Sequence, residues 1–208
     1  MENTKNDGND LKTQIFVKPI RGSDNNDHDD EQILIFQPNI GLSFDVRHPV
    51  IEILNINLAN EAVLSQKTRS THWNRSGIGF LEMYILLESQ YKQLNEIVDK
   101  IAERTRMMGG IALGSFEEIL EQTQIKERLD YIPDVLHLLA DHETIIRSMR
   151  EDIRKCSEDY EDEGTVELLV GVMSLHEKMA WMLRSYIEVK PTTAKIRKEN
   201  INEQGKGS

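Results

Sequence analysis

Phe80, Leu87, Leu94, Ile101 and Met108 stand seven residues apart, with Met83, Tyr91 and Val98 flanking them. A heptad of apolar residues over four repeats fixes one long amphipathic helix whose seam must be buried against other helices. Gly77 and Gly79 precede this run and Gly109-Gly110 closes it, a glycine stop of the kind that ends helices. A second periodic stretch, about Pro49 to Thr71, carries Ile51, Leu54, Leu58 and Ala62, with Pro49 placed for its first turn. Ser115 and Glu118 form a capping box for a short helix from Phe116 to about Thr123. Pro133 opens the next helix, with Val135, Leu138, Leu139, Ile145, Ile146, Met149 and Ile153 as its stripe, and the acidic run 158–164 ends it. Leu169, Val172, Met173, Met179, Leu183 and Ile187 mark the last helix. Four long helices, with a short one inside the long crossover at about 109–131, predict an all-α, ferritin-like four-helix bundle.

Charge divides the chain of 208 residues into three. Residues 1–45 carry four basic and nine acidic side chains, an acidic arm; 46–188 form the bundle; 189–208 carry five basic and two acidic side chains, a basic tail. Both ends have the polar composition of mobile tails. Two apolar patches in the arm, 15–17 and 33–36, read as edge-strand-like pieces or staples onto the body. The net charge of −11 disfavours polyanion binding by the chain as a whole. The lone Cys156 forms no intrachain disulfide and fits a reducing, cytoplasmic setting. No apolar run approaches the roughly 20 residues of a membrane span.

Candidate chemistry lies beside the heptad seam. Tyr84 and Glu88, then Asp99 and Glu103, are each four apart on the long helix, and the four fall in a sector of about 100°. Glu88 and Asp99 are about 16 Å apart along the axis, so one small ion cannot reach both in one chain. Two copies of the helix, antiparallel about a two-fold axis, would set one copy's Asp99/Glu103 end against the other's Tyr84/Glu88 end, with His72 adding a nitrogen. Carboxylates plus an imidazole suit iron or manganese. The bland alternative is a solvated acid pair matched by Lys100 or Arg104.

Residues 71–110, THWNRSGIGFLEMYILLESQYKQLNEIVDKIAERTRMMGG, resemble the signature of the Dps family, the DNA-binding proteins from starved cells or mini-ferritins. The matching elements are HWN followed by a glycine, Asp99 and Glu103 within DKIAER, and the closing Gly-Gly. Residues 162–188, with HEKMAWML, are similar to the family's final helix, and the likeness runs from about Gly41 to Glu188.

The resemblance implies a dodecameric shell that oxidises Fe(II), preferentially with hydrogen peroxide, and stores ferric mineral. His72, Glu88, Asp99 and Glu103 match the family's metal and catalytic positions at its two-fold interfaces, and Trp73 matches the tryptophan packed beside them. The family's second histidine is Tyr84 here; a phenol is a poorer Fe(II) donor than an imidazole, which implies a weaker site. Zinc or manganese in that site is a lesser expectation. Glu163 and Glu167 resemble the acids of the three-fold pore, or are simply acids stabilised at a helix N-terminus. DNA contact, and with it a nucleoid association, falls to Lys195, Arg197 and Lys198 in the basic tail. The rival reading is a shell with an impaired centre that compacts DNA or serves as a structural assembly. His137 and His142 are expected to be packed, hydrogen-bonded histidines, His176 and Glu177 to be structural, and Met107, Met108, Met173, Met179 and Met182, at helical spacing, to lie in the core.

Overall fold

The computed structural model describes residues 38–188, and the backbone alone of 15–19 and 32–36. In the arm, β1 (Ile15–Pro19) pairs antiparallel with β2 (Gln32–Phe36), Ile15 opposite Phe36, at the two apolar patches. The body is all-helical: α1 (Phe44–Asn74), α2 (Phe80–Met107), the short α3 (Phe116–Gln122), α4 (Val135–Glu158) and α5 (Glu163–Ile187). α1 packs along α2 and α4 along α5, the two hairpins meet chiefly through α1 and α4, and α3 lies on α1. This is the four-helix bundle with a helix in its crossover. Among the described residues no helix is long and apolar enough to cross a membrane.

The heptad seam forms the core: Leu87, Leu94, Ile101 and Met108 are fully buried, with Met83 beside them. Its first member, Phe80, is the first residue of α2 and stays 42% exposed. Each such buried side chain contributes roughly 1.5–3 kcal/mol of transfer free energy. α2 ends as the glycines predict. Gly109 adopts φ +84, its N–H bonding to Arg106 O while Gly110 N–H bonds to Thr105 O. A Cβ on Gly110 would strike Ile51, so this position holds the α1–α2 packing distance.

Two helix starts differ from expectation. α1 begins at Phe44, not near Pro49, which sits in its second turn. The added turn is held by Arg47, a buried side chain donating to the carbonyls of Leu42 (3.2 Å) and Met108 (2.7 Å). This anchoring keeps the helix going although Pro49 gives no N–H to it. α4 opens at Val135, with Asp134 as N-cap accepting from His137 N–H, so Pro133 lies outside the helix. The capping box of α3 is present as read, Ser115 and Glu118 each receiving the other's backbone N–H.

α1 buries an unusual number of polar groups, and several of them have a structural task. Asn60 accepts from Thr123 and Gln124, Lys67 donates to Lys126 O and pairs with Asp141 at 2.5 Å, and Thr71 donates to Pro133 O. These bonds fasten the crossover and α4 to α1. Satisfied polar contacts can do this without the cost of stranding buried backbone groups.

Candidate metal centre

His72 lies in the last turn of α1, 4% exposed, and its Nδ1 is 3.0 Å from the carbonyl of Tyr84. A carbonyl only accepts, so Nδ1–H donates. In the neutral ring the Nε2 lone pair is then free to bind a metal. The Tyr84 ring stacks at 4.1 Å from the imidazole and Tyr91 stands edge-on at 5.4 Å, with Arg69 over the Tyr91 face. One turn after Tyr84, Glu88 accepts a hydrogen bond from Lys92 Nζ at 2.7 Å. That bond, the ammonium charge and then the nearby His72 hold the Glu88 carboxyl below the usual range, so it is an anion at neutral pH. His72, Tyr84 and Glu88 therefore form one patch at the junction of α1 and α2.

Asp99 and Glu103 do not join that patch. They are exposed, further along the same face of α2, and no hydrogen bond or ion pair to either occurs among the described residues. Arg104, a candidate partner for them, instead holds Asp162 at 2.6 Å and Thr165 at 3.0 Å. Among the described residues no three His, Cys, Asp or Glu side chains of one chain converge as a metal site. The helix thus carries two half-sets of donors, as the spacing requires.

Trp73 turns outward, 62% exposed. Glu163 and Glu167 are exposed in the first turns of α5, after Asp162, which caps the helix through Thr165 N–H. Lys195, Arg197 and Lys198 lie outside the described residues.

Several assignments need correction. Met107 is 58% exposed, since it falls about 100° around the helix from the buried Met108. Met179 is buried, and Met173 and Met182 are half-buried. His137 is exposed, bonded to Asp134 at 2.6 Å, and Glu177 pairs with Arg150 at the surface. His142 is packed as expected, and His176, expected to be structural, packs against it. His176 Nε2 meets Glu61 Oε1 at 2.8 Å and its Nδ1 meets His142 Nδ1 at 2.9 Å, all three side chains fully buried. Burial, and next the neighbouring His176, push the His142 pKa well down, so that ring is neutral. Glu61 is the residue that sequence reasoning missed. Its signal was present: it stands seven residues after Leu54 and three after Leu58, a carboxylate on the buried stripe.

Comparison with known proteins agrees with this architecture. The family model described as ferritin-like domain matches residues 51–192. An uncharacterised low temperature-induced protein of Nostoc sp. is 40% identical over 157 residues, 74% of this chain and 88% of that protein. DNA protection during starvation protein 2 of Bacillus anthracis is 30% identical over 141 residues, 66% of this chain and 96% of its own length. Among solved structures, DpsC from Streptomyces coelicolor superposes with a TM-score of 0.71 at 28% identity, covering 74% of this chain and 92% of that one. The Dps protein of Vibrio cholerae O1, described as a member of a broad superfamily of ferritin-like diiron-carboxylate proteins, gives 0.68 at 29% identity, covering 73% and 97%. The chain belongs to the ferritin-like domain family, within its Dps (DNA protection during starvation) branch.

Proposed function

We propose that this protein is an iron-storing mini-ferritin that oxidises Fe(II), preferentially with hydrogen peroxide, at sites shared by two copies of the chain, and keeps the ferric product inside a dodecameric shell. The observation that carries the reading is the split donor set on α2. His72 Nε2, Tyr84 and Glu88 stand at one end, and the unpaired Asp99 and Glu103 at the other. A two-fold axis across α2 makes two equivalent sites, each taking one half-set from each copy. Apolar surface supports the same docking: Trp73, Leu81 and Ile85 are exposed around the His72 end.

In each site the carboxylates of Glu88, Asp99 and Glu103 neutralise the substrate cation and His72 orients it through a ring fixed by Tyr84 O. Two Fe(II) ions each give one electron to hydrogen peroxide. Its O–O bond breaks, and with two protons it leaves as two waters. Glu163 and Glu167, at the start of α5, are proposed to line a three-fold pore that draws cations inward. Manganese and zinc suit the same donors.

Tyr84 favours a competing reading, in which the weakened centre leaves a shell that compacts DNA through Lys195, Arg197 and Lys198 or acts structurally. Iron loading of the purified particle with peroxide or with oxygen, beside an Asp99→Asn/Glu103→Gln variant, decides between them. The proposal expects mineral only in the wild type; equal mineralisation refutes it. A gel shift at low salt, with and without residues 190–208, reports the DNA contact. Stopped-flow oxidation of the Tyr84→His variant should be faster than wild type, and no gain would show that Tyr84 does not limit the centre.

A further inference from the structure

Lys92 stands one turn beyond Glu88 on the same face of α2, and its ammonium donates to Glu88 Oε1 at 2.7 Å. That ammonium also lies near Tyr84 and Tyr91, and Glu88 lies near His72. Since both tyrosine rings flank the imidazole at 4.1 and 5.4 Å, these side chains share one patch. A cation already occupies the oxygen that the proposed site offers to a metal.

We propose that Lys92 is the internal counter-cation of this site: it holds Glu88 while no metal is bound and must be displaced before Fe(II) or another divalent ion can bind. The inference rests on the site reading above and adds its regulation. Docking a second copy without metal would gather Glu88 with that copy's Asp99 and Glu103, three carboxylates with nothing between them. The ammonium offsets that repulsion and lets the interface form empty. When a divalent ion arrives, it repels the ammonium and competes with it for the same oxygen. The Lys92 side chain is 60% exposed on a flexible stem, so it is free to swing into solvent. Assembly before loading is thereby favoured, at the expense of metal affinity.

The test uses the assembled full-length protein, with Co(II) followed by its visible absorption and Zn(II) by calorimetry. Lys92→Met is expected to bind each ion about three- to tenfold more tightly than wild type, and Lys92→Arg no more tightly than wild type. The gain must depend on Glu88, so Lys92→Met/Glu88→Gln should bind as Glu88→Gln alone does. Unchanged or weaker binding by Lys92→Met, or the same gain without Glu88, overturns the proposal. Lys92→Gln carries the same comparison if the methionine variant does not assemble. An Asp99→Asn/Glu103→Gln variant separates the two levels. If it binds Co(II) as the wild type does, the shared site itself is wrong; if it loses Co(II) while Lys92→Met gains nothing, only the role of Lys92 is wrong.

Discussion

Two of the regions where imidazole and carboxylate come close in this chain have opposite outcomes. Inside the bundle, Glu61 of α1, His176 of α5 and His142 of α4 bond to one another with no exposure to solvent. At the α1–α2 junction, His72, Tyr84 and Glu88 keep donor atoms free, and the acids that would complete them stand elsewhere on the helix. The first region makes its bonds within one chain, with Glu61 Oε2 and His142 Nε2 left unbonded, so its free energy goes into holding α1, α4 and α5 together. The second brings no such set together within one chain, and on the function proposed above its free energy would be realised on binding a metal and a second copy. On that proposal, the same residue types would give a structural core or a metal site according to whether their partners lie in the same molecule.

The comparison breaks most visibly at Glu61. Glu61→Ala leaves the buried His176 N–H without its acceptor and should lower stability by about 3 kcal/mol in urea unfolding at a fixed chain concentration. A loss below about 1 kcal/mol would mean the network does not hold the bundle.

Acid should act on the same region. The folded chain keeps His142 well below its ordinary range, whereas the unfolded chain protonates it near pH 6.5. Below that pH the unfolded state binds a proton that the folded state refuses, so stability falls as pH falls, by up to about 1.4 kcal/mol per pH unit from this residue. His142→Phe should flatten that slope in thermal melts between pH 7 and 5. An unchanged slope would place the acid sensitivity elsewhere.

The capping box of α3 is worth less. Ser115→Ala should cost about 1 kcal/mol or below, because α3 buries none of its residues and its melting is local.

Smallest of all is the effect expected at the open region. Asp99→Asn/Glu103→Gln should stay within about 0.5 kcal/mol of wild type, since both side chains are exposed and unpaired. A large loss there would make the acid row structural and erase the contrast.

How much of this was legible beforehand follows from the range of each interaction. The heptad on α2, the glycine stop and the capping box are local, and the sequence carries them directly. The start of α1 was misplaced because Pro49 reads as a first-turn proline, while Arg47 anchors an extra turn through Met108, which lies 61 residues away. Glu61 went unread for the same reason: its partner, His176, is 115 residues along the chain. Met107 reads as core from the helical spacing of the methionines, whereas one residue of helical rotation decides between it and Met108. At the candidate site, spacing supplied the row of donors on α2. It did not supply the bond from His72 to Tyr84 O that fixes which imidazole nitrogen is free, nor the ammonium resting on Glu88.

The shared site is tested most directly by complementation between two defective chains. A His72→Ala/Glu88→Gln variant and an Asp99→Asn/Glu103→Gln variant are each expected to lack Fe(II) oxidation. Co-assembled at random, half of the two-fold pairs contain one of each, and every such pair rebuilds one intact site of its two. The expected result is recovery of about a quarter of wild-type Fe(II) oxidation in the mixed assembly, followed in stopped flow with hydrogen peroxide. No recovery in particles shown to contain both chains would contradict a site built from two copies.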